Sequence, residues 1–444
     1  MTCRRLLIMM LVALASGRAS AQTGQTPLND DHGAMAPRFV DRINGLTLDQ
    51  AIARAVESEP GLRAVRSSVD IARGMQQQAG LRPNPTVTFS QLTEPAGTDA
   101  QTRVDFNWPL DLFRKDGRVN TATREVDVAK QATADRERLL VADVRMKFGE
   151  VLAAVRQLSI ADELVSATAR QHALLSARAD EGAIPPLDRD MVRVELQRLT
   201  ADRMLQAGHA EHAVIELKRL LGLRADAALT VREDLEEVVA RDTALDVQPT
   251  RSDTPSRPDV AEAEARVGVA DARIDQARRD GRFDVSLFGM YMRMDSGYAQ
   301  RGFGPDGNLE RVRGVFHNLG AGVMVSLPLR DGRQGEVAAA EAQRVGAQAQ
   351  LEAARLTVDT EVAAARARDD HARRALTLYT SETRNLARRN LDVVSQTYDA
   401  GRMTLLDVLN ERRRYLDTER AYTNALREAY EARQALRTAL GEVR

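Results

Sequence analysis

Polar and apolar residues alternate along four short stretches of the chain. In 103–108 every second residue is apolar and the residues between are polar. The same alternation runs through 283–291 and 318–328, and more weakly through 85–92. A period of two residues predicts β-strands with one apolar and one polar face. The apolar residues that we expect to form the first of these faces are Val104, Phe106, Trp108, Phe283, Val285, Leu287, Leu319, Val323 and Val325.

Two much longer stretches, 119–180 and 335–398, contain no proline and little glycine. At about 1.5 Å per residue, each predicts a helix on the order of 100 Å long. Each is followed by a break that contains glycine and by a returning segment, 187–221 or 404–440. We therefore expect two long antiparallel helical hairpins whose tips lie at the same end of the molecule, opposite the strands.

A two-fold internal repeat explains this symmetry. Gly182 and Gly401 are 219 residues apart, and the pairs Leu187-Asp188 and Leu406-Asp407 have the same separation. Ordered matches across both halves predict a duplication. We assign 46–222 to a first repeat, 223–257 to a linker with a short acidic helix in 230–245, and 258–444 to a second repeat. Residues 22–45 show no period and are expected to be extended.

The N-terminus has the pattern of a targeting segment. A basic start and a short apolar run are followed by small residues at Ala19 and Ala21, which predicts a signal peptide over 1–21. The only cysteine, Cys3, lies within it, so the exported chain is expected to carry no disulfide and no lipid anchor. No later run of eighteen apolar residues occurs, so any membrane contact is expected to be made by strands.

Composition narrows the function. The net charge of -1 gives no basic surface for nucleic acid, and aromatic residues make up only 4%. No nucleophile constellation is present, so we predict neither an enzyme nor a cofactor. His209 and His212 share a helical face near Glu211, a spacing that can serve a metal, although solvated histidines are the simpler interpretation.

The strands of an exported chain with such polar helices suit a membrane barrel, which has lipid outside and water inside. A soluble sheet with one wet face would show the same alternation. Four strands cannot close a barrel, and open edges are not tolerated in hydrocarbon. Two chains would give eight strands and a filled lumen, so we expect three chains and twelve strands.

Methionines accumulate on the polar side of the third strand. Met290, Met292 and Met294 share that side, with Met324 in the corresponding set of the fourth strand. Thioethers select soft ions such as Cu(I), which makes these residues weak metal candidates. Ordinary packing is the alternative interpretation.

The chain resembles the TolC family of trimeric outer-membrane efflux proteins from Leu46 to Gly441. The segments that carry the resemblance are LTLDQAIARAVESEP, AGLRPNPTVTF, RPDVAEAEARVGVADARIDQAR, the two Pro-Leu turns followed by Asp-Gly-Arg, and the two repeated tip phrases. The segment AGLRPNP further resembles the heavy-metal efflux branch.

The resemblance implies a homotrimer with a twelve-stranded barrel in outer-membrane lipid and a periplasmic helical tunnel. It implies docking on a periplasmic adaptor and an inner-membrane pump, with adaptor contacts at Gly182, Ala183, Ile184, Gly401, Arg402 and Met403. It places Asp407 at the periplasmic entrance, with Asn410 where the family often has a second acid and Asp188 at the equivalent place in the first half.

We therefore predict a mainly α protein with a β-barrel part that serves as a passive outer-membrane exit duct, with heavy-metal cations as the suggested cargo. A multidrug outlet or a type I protein-secretion outlet of the same fold is an alternative. A periplasmic structural coiled-coil protein is a third possibility.

Overall fold

The computed structural model describes residues 34–95, 99–244 and 257–442. A 3-10 helix, Ala36–Arg38, precedes the main elements. These are α1 (Leu48–Ser58), α2 (Pro60–Ala79), β1 (Thr86–Thr93), β2 (Ala100–Pro109), α3 (Arg114–Asp180), α4 (Pro186–Leu220), α5 (Leu235–Ala244), α6 (Pro258–Asp280), β3 (Asp284–Phe303), β4 (Leu309–Ser326), α7 (Gln334–Leu378), a π-helical turn (Tyr379–Thr383), α8 (Arg384–Asp399) and α9 (Leu405–Ala439).

The four strands form one antiparallel sheet in the order β1-β2-β3-β4. The register places Trp108 opposite Leu287, and Leu287 opposite Val323, so the apolar residues of neighbouring strands lie on one face. β1 and β4 are the edges of this sheet within the described chain. All four strands were predicted from the alternation. Polar and apolar residues alternate along a strand when the two faces of the sheet have different environments.

The hairpin between β3 and β4 corrects one expectation. The residues between the third and fourth predicted strands, 296–314, are polar and glycine-rich and indicate a loop, whereas β3 continues to Phe303 and β4 begins at Leu309. Backbone pairing continues through a register irregularity between Gly297 and Arg301. These strand ends were not recognisable from their side chains, because strands pair through the backbone and tolerate polar residues where the face is not buried.

The helices match the predicted hairpins, with one difference between the repeats. α3 runs without interruption over 67 residues. Its counterpart was predicted as one helix over 335–398, but the π-helical turn separates α7 from α8. The equivalent glycines of the two repeats are separated by 65 residues in the first (Gly117 to Gly182) and by 69 in the second (Gly332 to Gly401). The π-helical turn therefore lies in the longer segment. π-helix occurs mostly as single turns of this kind inside α-helices, frequently at functional sites.

The largest hydrophobic core lies in the middle of the helical part, away from the sheet. It joins α1, α3, α4, α5 and α9 through buried side chains that include Leu48, Phe148, Leu217, Leu235 and Tyr430. None of the described helices is long and apolar enough to cross a bilayer.

The N-terminal part of the described chain is anchored against this core. The backbone N–H groups of Met35 and Ala36 both donate to the buried Asp162 carboxylate at 2.8 Å. Val40 and Leu46 form parallel bridges with Val231 of the middle region. The short acidic helix expected in 230–245 is α5. The predicted signal peptide, residues 1–21, lies outside the described residues, and the assigned boundaries of the two repeats stay predictions.

Candidate functional site

The two helical tips turn in the same way. Gly182 after α3 and Gly401 after α8 have positive φ values of 73° and 74°. In each tip, the glycine and the residue after it donate backbone hydrogen bonds to carbonyls of the last helical turn, as in Gly401 to Tyr398 at 2.8 Å and Arg402 to Thr397 at 3.0 Å. A left-handed residue at this position favours glycine. Nothing lies within 4 Å of a Cβ built on either glycine, so the backbone conformation, not close packing, explains the residue.

The tips lie together at one end of the molecule, as expected. Leu175, Val192, Leu405 and Leu409 form a buried cluster that includes residues from both hairpins. Ile184 packs against this cluster, so its side chain is partly used by the fold. The other predicted contact residues, Ala183, Arg402 and Met403 with the two glycines, are exposed. The six residues for which the resemblance implies adaptor contacts therefore lie at the same end of the molecule, and their role stays a prediction.

Asp407 has a structural role at the start of α9. Its carboxylate accepts hydrogen bonds from the backbone N–H of Thr404 at 3.0 Å and from the Thr404 hydroxyl at 2.7 Å. Thr404 in turn accepts from the Asp407 N–H, which completes a capping box. The hydrogen bonds from Thr404 lower the pKa of Asp407, so this exposed side chain is ionised at neutral pH.

The equivalent position in the first repeat differs. Pro185 stands where Thr404 stands, and it supplies no side-chain cap to α4. Asp188 is half-buried, and its charge adds to the effect of partial burial in raising the pKa of Tyr398. Asp188 therefore acts on the second hairpin, whereas Asp407 acts within its own helix. Asn410 is exposed one turn after Asp407.

An apolar groove of about 340 Å³ lies between the starts of α4 and α9. Leu187 and Leu406, which occupy equivalent positions in the two repeats, both line it and are 66% and 54% exposed. Asn410 is also on its wall. The repeated Leu-Asp pair is the sequence signal that could have indicated this groove, which was not predicted.

The junction after the π-helical turn is a second feature without a local sequence signal. Arg384 donates to Glu419 of α9 at 2.7 Å and to Glu236 of α5 at 3.2 Å, and its guanidinium lies 4.9 Å from the Tyr422 ring centre. Arg156 of α3 also approaches Glu236, at 2.7 Å. This network ties the start of α8 to three other helices.

Beyond this junction, a cavity of about 1090 Å³ opens between α3, α8, α9 and the N-terminal segment. Arg412 on its wall donates to Thr168 at 3.1 Å and to Gln171 at 2.8 Å. Both acceptors are neutral, and burial lowers the pKa of Arg412. No sequence signal indicated this contact, because the partners are neutral residues of another repeat.

The sheet places the predicted apolar residues on one face. Val104 lies opposite Tyr291, Tyr291 lies opposite Leu319, and the other predicted strand residues follow the same register. Phe283 lies just before β3, where its ring meets Phe113 edge-on with centres 4.9 Å apart. The apolar face has no cover within the described chain, and Leu319 is 87% exposed.

The opposite face carries the methionines. Met290 lies between Asp105 and Gly320, and Met292 lies between Arg103 and Asn318. The described residues contain no group of three or more His, Cys, Asp or Glu side chains that could hold a metal. His209 and His212 are exposed on α4, next to Glu211.

Comparison with known proteins identifies the family. A family model described as "Outer membrane efflux protein" matches residues 51–223 and 255–442, so the chain belongs to this family. The cobalt-zinc-cadmium resistance protein CzcC of Cupriavidus metallidurans is 24% identical over 445 residues, which cover 99% of this chain and 100% of that protein.

Solved structures confirm the predicted fold class. A crystal structure of CusC has a TM-score of 0.70 at 19% identity and covers 91% of this chain and 93% of its own. The open state of the Neisseria gonorrhoeae MtrE outer membrane channel has a TM-score of 0.66 at 18% identity, covering 89% and 88%. The mainly helical chain with four strands and long antiparallel helices is therefore a TolC-like fold.

Proposed function

We propose that the chain is the outer-membrane channel of a tripartite efflux system, a passive exit duct that docks on a periplasmic adaptor and an inner-membrane pump. The observation that carries the proposal is the uncovered apolar face of an open-edged sheet in a member of the outer membrane efflux family. A four-stranded sheet with free edges is not viable in lipid. Three copies joined at β1 and β4 would close a barrel of twelve strands.

The height of the apolar face supports this placement. From Phe283 to Tyr291 the face covers nine residues. At about 3.3 Å per residue and a tilt of about 40°, these residues cover roughly 20 Å, close to the apolar band of about 25 Å on outer-membrane barrels. At the outer end of this face, the Tyr291 hydroxyl meets His317 Nδ1 at 2.8 Å, which suits the boundary with the headgroups.

The other end of the molecule would then face the periplasm and the partners. The exposed tip residues Gly182, Ala183, Gly401, Arg402 and Met403 supply an accessible platform for docking. Ile184 would contribute through the part of its side chain that the tip cluster leaves uncovered. The apolar groove beside them supports contact with an adaptor that presents apolar side chains.

The proposed cargo is heavy-metal cations. The support is the similarity to CzcC, which covers 99% of this chain and 100% of that protein. Deletion of the gene is expected to sensitise cells to divalent cations such as cobalt, zinc and cadmium, because cations reaching the pump would lose their exit. A susceptibility panel that also scores copper, silver and hydrophobic antibiotics measures this. Sensitivity to antibiotics with unchanged metal tolerance would instead assign the duct to multidrug export.

Asp407 is proposed to act at the periplasmic entrance in addition to capping α9. Three ionised carboxylates around a narrow axis focus negative potential and attract cations. Asp407→Asn keeps an oxygen that can accept from Thr404, so the helix start is preserved. We expect the substitution to lower cation-over-anion selectivity severalfold in single-channel recordings.

The control for this prediction is Asp399→Asn. Asp399 is the last residue of α8 and is an exposed acid of the same tip, so it changes the net charge equally. Equal selectivity of wild-type protein and Asp407→Asn would show that the carboxylate is only a helix cap. Equal losses in both variants would show a general charge effect of the tip.

A further inference from the structure

The β3–β4 hairpin extends well past its neighbours at the end of the sheet that lies away from the helices. β2 ends its pairing where Ala100 meets Asp295, but β3 continues to Phe303. The register carries a set of basic residues onto the same face as Leu319 through the pairs Arg293–His317, Gly297–Arg313 and Arg301–Arg311. This set, called the basic row below, consists of Arg293, His317, Arg313, Arg311 and Arg301.

The basic row is poorly neutralised by the protein itself. Arg293 has Asp295 at 3.3 Å. In the part of the chain that the structure describes, no carboxylate forms an ion pair with Arg301, Arg311 or Arg313. Arg301 and Arg311 are moreover directly opposite each other, and like charges at such positions destabilise a sheet.

Three arginines at the other end of the sheet have carboxylate partners. Arg114 lies 3.2 Å from Asp284, and Arg118 lies 2.5 Å from Asp111. Arg333 is paired with Glu336. The chain therefore neutralises these three arginines next to the helices, whereas Arg301, Arg311 and Arg313 of the hairpin have no carboxylate partner among the described residues. This contrast indicates that an external anion completes the hairpin.

We propose that the basic row binds the phosphate groups of lipopolysaccharide, the phosphorylated glycolipid of the outer leaflet. The inference rests on the proposed function, since the row follows the apolar face and would lie at the outer headgroups only if that face contacts lipid. Guanidinium groups bind phosphate through two parallel hydrogen bonds and are less strongly hydrated than ammonium groups. All five side chains are exposed.

The depth of the row favours a glycolipid over a glycerophospholipid. From His317 to Arg311 the strand advances six residues, which is roughly 15 Å along the membrane normal at a tilt of about 40°. The headgroup region of an ordinary bilayer is only about 5–8 Å thick on each side. A layer of single phosphates would reach Arg293 and His317, whereas a phosphorylated saccharide also reaches Arg311 and Arg313.

The test uses the purified full-length trimer and vesicles of lipopolysaccharide or of phosphatidylglycerol at matched phosphate density. The variant is Arg301→Gln, Arg311→Gln and Arg313→Gln together. The matched control carries the same number of Arg→Gln changes at Arg193, Arg366 and Arg389, which are exposed on the helices and form no ion pair with a described residue. After incubation with each lipid, the trimer is washed with detergent, and the amount of lipid that it retains is measured.

We expect the wild-type protein and the control to retain more lipopolysaccharide than phosphatidylglycerol. The hairpin variant is expected to retain about tenfold less lipopolysaccharide than the wild-type protein. Equal retention by the hairpin variant would overturn the proposal. Equal binding of both lipids by wild-type protein would overturn the choice of a glycolipid.

Two further readouts separate this inference from the proposed function. A trimer that protects cells against metals but shows no preference for lipopolysaccharide would remove only the inference. A chain that neither enters the outer membrane nor forms a trimer would remove the channel itself.

Discussion

Val323→Arg is expected to prevent assembly in the outer membrane, whereas Met324→Arg is expected to leave assembly intact. The two residues are neighbours in β4 and are similarly exposed, at 59% and 53%. Val323 pairs with Leu287 on the apolar face, near its middle, and Met324 pairs with Ser286 on the opposite face. The two substitutions introduce the same side chain, so only the environment of the face differs.

The expected penalty is large because it is repeated in each copy. An arginine at the middle of the lipid-facing band costs about 2–4 kcal/mol, and a trimer carries three. An arginine on the water-filled side has no comparable cost. Fractionation of cell envelopes measures how much of each variant reaches the outer membrane. Equal amounts of both variants would show that water contacts both faces of the sheet, which would contradict the channel.

Gly149→Ala is expected to destabilise the helical part of the molecule. A Cβ at Gly149 of α3 would lie 2.2 Å from the ring of Tyr430 in α9. Tyr430 is buried, and its hydroxyl donates to the carbonyl of Arg145 at 2.9 Å, so the ring cannot move without losing that bond. Overpacking of this kind costs about 1–3 kcal/mol, and sometimes more.

Gly208→Ala provides the matched control for this prediction. Gly208 lies within α4, and nothing lies within 4 Å of a Cβ built there. Alanine in a helix interior stabilises by about 0.5–1 kcal/mol relative to glycine. The dissociation temperature of the purified oligomer should therefore fall for Gly149→Ala and stay or rise for Gly208→Ala. A similar change in both variants would show that the contact between Gly149 and Tyr430 does not hold the helices together.

The parts of the fold that depend on local pattern were predictable from the sequence. Alternation identified β2 and β4 because their apolar residues share an uncovered face. The lack of proline and glycine identified α3, and Gly182 and Gly401 identified the turns because a left-handed backbone favours glycine. The recognition of the family rested on several such features in a fixed order, and the family match confirms it.

The parts that depend on distant contacts were not predictable in the same way. Arg412 and Thr168 are 244 residues apart, and the sequence around either residue contains no feature that predicts their contact. The π-helical turn has the sequence YTSET, which contains no breaker that would distinguish it from α-helix. The extension of the β3–β4 hairpin was not predicted, because its glycines and charged residues are typical of loops and its strands pair through the backbone. The roles of Asp407, Asn410, Asp188 and the tip residues stay predictions.

The most direct test of the channel is the mass of the mature protein extracted from the outer-membrane fraction in a mild detergent. We predict that extraction requires detergent and that the protein component has about three times the mass of one chain, because only three copies supply twelve strands. Recovery of a monomer from the soluble fraction after cell lysis would contradict the account, since an uncovered apolar sheet would then have no membrane to cover it.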